Sequence, residues 1–207
     1  MKYKAALFDL DGVLIDTEPI YTRIWSDIES RFPTGIPDFA LSIKGNTLPR
    51  ILGENFKPED HDEIKRLLIE AEEKMEYPLS PDTVRFLKSL AAVGVPAAIV
   101  TSSGDAKMER LFAMHAGLRE LFGAVITDSW VSKGKPDPEC YMIGARELGA
   151  KPEECVVFED SYNGLKAGRA AGSYVVALST TNPAEKLADL SDMVAGSLSE
   201  IDIDSLF

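Results

Sequence analysis

Cysteine and histidine, two residue types that often build metal centres and nucleophilic sites, are scarce in this chain. Among its 207 residues there are two cysteines and two histidines. Cys140 and Cys155 have no CxxC spacing and no histidine beside them, which argues against a zinc site and against a disulfide framework. We expect both thiols to be buried and chemically inert.

Positive charge is also in short supply. The chain has 22 lysines and arginines against 34 aspartates and glutamates, for a formal net charge of −12. Because nucleic acids and anionic membranes bind largely through lysine and arginine, we expect neither as a partner. An anionic substrate would therefore need positive charge that is concentrated locally.

Long hydrophobic runs are missing as well. The apolar run Leu90–Val100 is too short to cross a bilayer. The first residues lack the basic segment, apolar stretch and cleavage site of a signal peptide, so we expect a cytoplasmic protein. With 207 residues, the chain can bury a sizeable core as one domain, or as one domain that carries a smaller insertion.

Short apolar runs rich in strand-forming residues recur along the chain and alternate with segments of helical periodicity. This alternation predicts a parallel sheet with helices on its faces. The segment Ser161–Gly172 is rich in alanine and glycine, which predicts a helix whose backbone lies close to the sheet. The predicted strands are Lys4–Asp9, Pro96–Thr101, Ala124–Thr127, Cys155–Glu159 and Tyr174–Leu178.

The interval between the first two predicted strands is far longer than a single crossover helix requires. Residues 16–31 have a helical pattern, and so does Glu59–Glu76. We therefore predict an inserted helical domain over residues 16–81, with residues 1–15 and 82–207 forming the core. The apolar face of the second predicted helix is formed by Ile64, Leu67, Leu68, Ala71 and Met75.

Two carboxylates stand where the first predicted strand breaks into a turn. They are Asp9 and Asp11, in the segment Phe8–Gly12. Because the side-chain direction of a strand repeats every two residues, both can face one pocket, about 6–7 Å apart at the backbone. Such a pair suits a metal ion and a reacting phosphate. Taken alone, this segment is more typical of a simple turn, with Asp9 as a strand-end residue.

Polar groups follow the next two predicted strands, and ligands of open α/β sheets bind outside the carboxyl ends of strands. Thr101, Ser102 and Ser103 follow the second strand. Hydroxyls and free N–H groups before a helix suit a phosphate, although such residues also cap helices. Lys135 comes after the third strand, where Pro136 holds it out of helical geometry. A lysine in a loop is also commonly just solvated.

Glu159 and Asp160 stand at the end of the fourth predicted strand. Paired acids there suit a metal ion, or else they cap the next helix. One chemistry unites these groups, because an ionised carboxylate can act as a nucleophile without a base. Mg²⁺ and a lysine neutralise the charge of phosphoryl transfer, and Asp9, Asp160 and Lys135 meet those needs. Asp11 could protonate the leaving oxygen and then deprotonate the water that hydrolyses the aspartyl phosphate.

In type and order, these motifs resemble those of the haloacid dehalogenase-like (HAD) phosphohydrolases, over essentially the whole chain. The nucleophile, hydroxyl, lysine and acidic motifs of that family look like Asp9–Val13, Thr101, Lys135-Pro136 and Glu159-Asp160. The resemblance implies an α/β, Rossmann-like core with a helical cap domain. It also implies Mg²⁺ held by Asp9, the Asp11 main-chain carbonyl and Asp160, with Glu159 as a further acid of the metal site.

Two segments, Gly134–Pro138 and Phe158–Leu165, are most similar to the branch that contains β-phosphoglucomutase and many sugar-phosphate phosphatases. Two positions depart from the mutase pattern. Tyr21 replaces a histidine at the cap hinge, and Leu48 replaces an arginine that holds a second phosphate. A mutase must hold both ends of a bisphosphate and keep water from its phosphoaspartate, so these differences favour simple hydrolysis.

We therefore expect a monomeric, Mg²⁺-dependent phosphatase that acts on small phosphate esters, with sugar or polyol phosphates foremost. Lys44, Asn46 and Arg50 are candidate contacts to the ester, or else solvent-exposed residues of the cap. The alternatives are a β-phosphoglucomutase-like phosphomutase and a non-catalytic sugar-phosphate sensor. Dehalogenase activity is disfavoured, because those enzymes lack the second acid that Asp11 supplies here.

Overall fold

The computed structural model describes residues 2–43 and 48–207, and the chain divides into two compact units. The first unit comprises Met1–Asp16 and Leu79–Phe207, and the second comprises Thr17–Pro78. The second unit is thus inserted between the first two strands of the first. Their roles as catalytic core and cap domain, and the predicted limits 16–81, stay predictions.

The first unit is built on a parallel sheet. Its six strands among the described residues are β1 (Ala5–Phe8), β2 (Ala97–Val100), β3 (Ala124–Ile126), β4 (Cys155–Glu159), β5 (Tyr174–Leu178) and β6 (Met193–Ala195). They lie in the order β3-β2-β1-β4-β5-β6, and every neighbouring pair is parallel. The predicted α/β class with a Rossmann-like sheet is confirmed.

Helices connect the strands and build the inserted unit. Within the described ranges they are α1 (Glu18–Arg31), α2 (Phe39–Ser42), α3 (Leu48–Asn55), α4 (His61–Glu73), α5 (Thr83–Ala92), α6 (Asp105–Met114), α7 (Glu139–Glu147), α8 (Tyr162–Ala171), α9 (Ala184–Leu187) and α10 (Ile203–Leu206). Single 3₁₀ turns lie at Pro58–Asp60, Arg119–Leu121, Asp128–Trp130, Pro152–Glu154, Ala188–Leu190 and Leu198–Glu200. None of these described helices is long and apolar enough to span a membrane.

Both faces of the sheet are buried. Successive side chains of a strand point to opposite faces, and every residue of β1, β2 and β4 is buried. Leu7 of β1 packs in one cluster with Tyr141 of α7. On the opposite face, the ring of Phe8 stacks on that of Phe158, with centroids 4.6 Å apart. Phe86 of α5 meets Phe8 edge-on at 6.1 Å. Helices therefore cover both faces, and the polar strand ends are left at one edge.

The helix α8 packs closely against the sheet, as its small residues predict. Gly168 is buried, and a Cβ atom at this position would lie 3.1 Å from side-chain carbons of both Val157 and Val175. The helix begins at a capped end, since the Ser161 hydroxyl accepts a hydrogen bond from the Gly164 N–H at 3.1 Å. The backbone of α8 can approach β4 and β5 at Gly168 because this residue has no side chain.

Several boundaries differ from the predictions. Asp9 and Thr101 lie just past their strands, where the chain turns at the sheet edge. The helix after β2 has Gly104 at its N-cap, so neither Thr101 nor the serines after it cap it. The predicted second helix of the insertion ends earlier, at Glu73. Met75 is buried beyond that end.

The inserted unit has its own aromatic core. The Phe39 ring meets the Trp25 ring edge-on at 6.2 Å and the Phe56 ring at 5.4 Å. Ile64 and Leu68 of α4 are buried in the same cluster. A separate core of this kind is what allows an insertion to fold as a compact unit.

We expect Gly168→Leu to lower the free energy of unfolding of the first unit by about 1–3 kcal/mol, because the added side chain would overpack the helix–sheet contact. Lys166→Leu, on the exposed side of the same helix, is the matched control and should change it by less than about 0.5 kcal/mol. Urea-induced unfolding measures both. Equal effects would show that α8 does not pack as closely as described.

Candidate active site

The polar strand ends meet where β1 lies between β2 and β4. Phe8 pairs in register with Ile99 of β2 and with Phe158 of β4. The next residue, Asp9, donates its main-chain N–H to the Phe158 carbonyl oxygen at 2.9 Å. The side chains that follow these three strands therefore share one edge of the sheet, the usual ligand edge of open α/β folds.

Lys135 holds this edge together. Its Nζ atom lies 2.5 Å from Asp9 Oδ1, 2.7 Å from Glu159 Oε1 and 3.1 Å from the Val100 carbonyl oxygen. These contacts match the three N–H donors of an ammonium group. The side chains of Lys135, Asp9 and Glu159 are 7%, 13% and 0% exposed. The ion pairs are therefore shielded from water, and the three contacts fix the position of the ammonium group.

Glu159 is enclosed by donors from the chain. Its Oε1 accepts from the Tyr141 hydroxyl at 3.1 Å as well as from Lys135. Its Oε2 accepts from the N–H groups of Asp160 and Ser161, at 2.9 and 2.8 Å, and from the Ser161 hydroxyl at 2.9 Å. Both oxygens are thus engaged, so Glu159 fixes its neighbours in place.

Gly164 is the residue that makes room for Glu159. A Cβ atom at position 164 would lie 1.6 Å from Glu159 Oε1, which no rearrangement of a side chain this enclosed can relieve. The absence of a side chain at the first turn of α8 is therefore a requirement of the site.

Asp160 is held from the other side. Its Oδ2 accepts a hydrogen bond from the Thr181 hydroxyl, and its main-chain oxygen accepts from Asn182 Nδ2 at 2.9 Å. Gly12 faces this carboxylate, with φ at +77° and with a hypothetical Cβ only 2.0 Å from Asp160 Oδ2. Glycine is needed there both for the backbone conformation and for the space.

Burial and mutual charge interactions shift the pKa values of the cluster. Burial raises the pKa of Asp9 to about 7, against the opposing effect of Lys135. Burial and the charges of Glu159 and Asp9 also raise the pKa of Asp160 well above its usual range. Burial alone would lower the pKa of Lys135, but Asp9 and Glu159 raise it well above its usual value. The lysine therefore keeps its positive charge throughout the neutral range.

The donor set fits a divalent metal ion. Asp9, Glu159 and Asp160 each offer one carboxylate oxygen, and these three oxygens lie within 4.8 Å of one another. Three carboxylates around one ammonium leave an excess of negative charge in a buried place, which a divalent cation would balance. Asp9 and Asp160 are the better ligands of the three, because Glu159 is already engaged at both oxygens.

Asp11 and the segment after β2 form the neighbouring part of the site. Lys107 Nζ lies 2.8 and 2.6 Å from the two carboxylate oxygens of Asp11. The Ser103 hydroxyl donates to Asp11 Oδ2 at 3.3 Å. Thr101 is buried, and its hydroxyl oxygen accepts from the Ser103 N–H at 3.0 Å. Ser102 is exposed at the same turn.

The structure thus brings together the predicted residues of the first unit. Arg50 is the one candidate substrate contact of the inserted unit that lies within the described residues. Arg50 is exposed in α3, where its Nε donates to Glu54 at 3.0 Å. Lys44 and Asn46 lie outside the described residues. Tyr21, at the position of the expected histidine, donates its hydroxyl hydrogen to Glu72 at 2.9 Å.

Four residues around the site have no counterpart among the sequence predictions. They are Lys107, Tyr141, Thr181 and Asn182. A lysine in a first helical turn and a tyrosine at a buried helix position were the available signals for the first two. Thr181 and Asn182 follow β5, whose end is one further place along the same sheet edge and could have been searched on that ground.

Comparisons with known proteins find one family. A family model described as haloacid dehalogenase-like hydrolase matches residues 3–172. The chain is 35% identical to hexitol phosphatase A of Escherichia coli, over 98% of this chain and 95% of that protein. It is 32% identical to validoxylamine A 7'-phosphate phosphatase of Streptomyces hygroscopicus, over 96% of both chains.

A solved structure is similar as well. It is a HAD family hydrolase from Deinococcus radiodurans R1 with bound phosphate and sodium, 30% identical, with a TM-score of 0.74 and coverage of 96% of this chain and 93% of that one. Since the family match and these relatives extend over most of its length, the chain belongs to the haloacid dehalogenase-like hydrolases.

Proposed function

We propose that this protein is a Mg²⁺-dependent phosphatase that hydrolyses small phosphate esters, foremost sugar or polyol phosphates, through an aspartyl-phosphate intermediate. The observation that carries the proposal is the position of Asp9. Its carboxylate lies at the ligand edge of the sheet, 2.5 Å from the buried Lys135 ammonium and grouped with Asp160. A nucleophilic carboxylate needs such an anchor, because phosphate and carboxylate repel each other.

Asp9 is assigned as the nucleophile. Lys135 engages Asp9 Oδ1, and the second carboxylate oxygen attacks phosphorus, so that a new P–O bond forms as the bond to the leaving oxygen breaks. Lys135 keeps its charge and offsets the negative charge that builds up on the phosphoryl oxygens. Thr101 and Ser102, at the end of β2, are assigned to hold the phosphoryl group through hydroxyl and main-chain N–H donors.

Asp11 is assigned as the general acid and base. In the first step its carboxyl O–H gives its proton to the leaving alkoxide. In the second step the resulting carboxylate takes a proton from the water that attacks the phosphorus of the aspartyl phosphate, which releases inorganic phosphate and restores Asp9. Proton transfers of this kind contribute roughly 10²–10⁴-fold to rates.

The metal is assigned to Asp9, the Asp11 main-chain carbonyl and Asp160, as the family pattern implies. A bound Mg²⁺ supplies charge neutralisation to the phosphoryl group. Glu159 is assigned to hold Lys135 and the N–H groups of Asp160 and Ser161 in place. The Thr181 hydroxyl orients the Asp160 carboxylate, as groups behind metal ligands commonly do.

The substrate class rests on the relatives. Two named relatives are a hexitol phosphatase and a phosphatase of validoxylamine A 7'-phosphate, and a third protein carries bound phosphate. Both named substrates are phosphate esters of small hydroxyl-rich molecules. The net charge of −12 also favours a small ester over a nucleic acid, whose phosphates would need an extended basic surface.

Asp9→Asn should lower the rate of phosphate release by at least about 10³-fold, because an amide is a poor nucleophile. The amide has nearly the same volume as the carboxylate, so the substitution should leave the packing unchanged. The measurement is inorganic phosphate released from a panel of hexitol, hexose and pentose phosphates, with and without Mg²⁺. Asp189→Asn, at an exposed position, is the matched control and should keep the wild-type rate.

Three outcomes of that assay would contradict the proposal. Turnover that survives Asp9→Asn would exclude Asp9 as the nucleophile. Conversion of β-glucose 1-phosphate to glucose 6-phosphate with little phosphate release would identify a mutase. Binding of an ester by wild-type protein without any release would identify a sensor.

The affinity for Mg²⁺ should rise with pH between 6 and 8. Below pH 7 Asp9 becomes protonated, because its pKa is raised to about 7, and a neutral carboxyl is a poor ligand. Displacing the Asp9 proton makes the apparent Kd increase by at least about tenfold for each pH unit below that pKa, and the raised pKa of Asp160 acts in the same direction. Isothermal titration calorimetry with MgCl₂ at several pH values measures the change.

Asp160→Asn is the control for that titration and should remove most of the binding at every pH. An affinity that is the same at pH 6 and pH 8 would contradict the assignment of Asp9 as a metal ligand.

A further inference from the structure

Lys107 is the third residue of α6, and it reaches back to the first strand-end motif. Its ammonium lies 2.8 and 2.6 Å from Asp11 Oδ1 and Oδ2. The Lys107 side chain is 13% exposed and that of Asp11 is 36% exposed. The ammonium therefore engages both oxygens of the carboxylate from a largely covered position, which fixes the orientation of the carboxylate plane.

A lysine is an unfavourable choice at this place in a helix. The N-terminal turn of α6 carries partial positive charge, which destabilises a cation there. Ordering a long side chain also costs rotamer entropy. Local rules of this kind are broken most often at functional sites, and the contact with Asp11 is the feature of this turn that offsets both costs.

We infer that Lys107 is a positioning residue for the proton transfers of Asp11, an inference that rests on the function proposed above. When the carboxyl O–H of Asp11 gives its proton to the leaving oxygen, a carboxylate forms and must stay in place. Lys107 holds both oxygens of the Asp11 carboxylate until Asp11 takes a proton from the attacking water. The Ser103 hydroxyl, 3.3 Å from Asp11 Oδ2, adds a third donor to the same carboxylate.

The two kinds of substrate that separate this role from others differ in their leaving groups. An alkyl phosphate expels a basic alkoxide and needs the proton of Asp11. p-Nitrophenyl phosphate expels a weakly basic phenolate and does not. The value of kcat/KM reports the steps up to the departure of the leaving group. Replacing Lys107 should therefore lower kcat/KM for the alkyl ester and leave that for the aryl ester nearly unchanged.

The experiment compares Lys107→Met with Lys107→Arg and with the exposed-site control Lys166→Met, on a hexitol phosphate and on p-nitrophenyl phosphate. Lys107→Met should lower kcat/KM for the hexitol ester by about tenfold or more, and for the aryl ester by less than about twofold. Lys107→Arg should recover part of the loss, and Lys166→Met should match the wild type.

A burst of p-nitrophenol supplies an independent readout. Because the second proton transfer also depends on Asp11, Lys107→Met should release about one equivalent of p-nitrophenol rapidly and then turn over slowly, as the aspartyl phosphate accumulates. Circular dichroism verifies that each variant is folded. If Lys107→Met does not fold, Lys107→Arg and Ser103→Ala are measured on the same two esters, and each should again affect the alkyl ester more.

Equal losses on both esters would overturn the inference, because they would indicate a role in phosphate binding or in the fold. A gain in kcat/KM would overturn it too, since it would make Lys107 an inhibitory contact. Both results leave the proposed phosphatase function standing. If wild-type protein releases no phosphate from either ester in the presence of Mg²⁺, it is the proposed function that fails.

Discussion

The ion pairs of Lys135 are the interaction on which the rest of the site depends. One buried ammonium joins residues that lie far apart in sequence, Asp9 and Glu159, and also meets the carbonyl oxygen of Val100 at the end of β2. Removing either partner of such a pair leaves an uncompensated charge in a buried place, which costs several kcal/mol. The cluster therefore holds its geometry through mutual compensation. Within it, the Lys135 ammonium favours the ionised form of Asp9 against the effect of burial.

The sheet explains why these groups can meet at all. Parallel pairing brings Phe8, Ile99 and Phe158 to the same level, so the residue after each strand emerges at one edge. Packing below the edge is dense and apolar, and two glycines above it, Gly12 and Gly164, leave room for carboxylates that any side chain would displace. Glycine is thus required at these two positions for steric reasons, just as the acids are required for chemical ones.

Most of the fold was predictable because alternating strand and helix patterns are local, and the strand-end residues followed from them. The short edge strand β6 was missed, since its segment Met-Val-Ala has only one β-branched residue, whereas the equally short β3, Ala-Val-Ile, has two. Lys107 and Thr181 were missed for a different reason: each reaches Asp11 or Asp160 from a separate element, and only tertiary contact reveals the pairing. The roles of Lys44, Asn46 and Arg50 stay predictions, because the geometry of the first unit does not bear on them.

The central claim is that Asp9 becomes covalently phosphorylated during turnover. The most direct measurement is rapid acid quenching of the enzyme while it hydrolyses a phosphate ester, followed by peptide mass spectrometry. The account predicts a phosphoryl group on the peptide that contains Asp9, which is present in wild-type protein and absent in Asp9→Asn. Turnover with no phosphorylated peptide, or with the phosphoryl group on another residue, would contradict it.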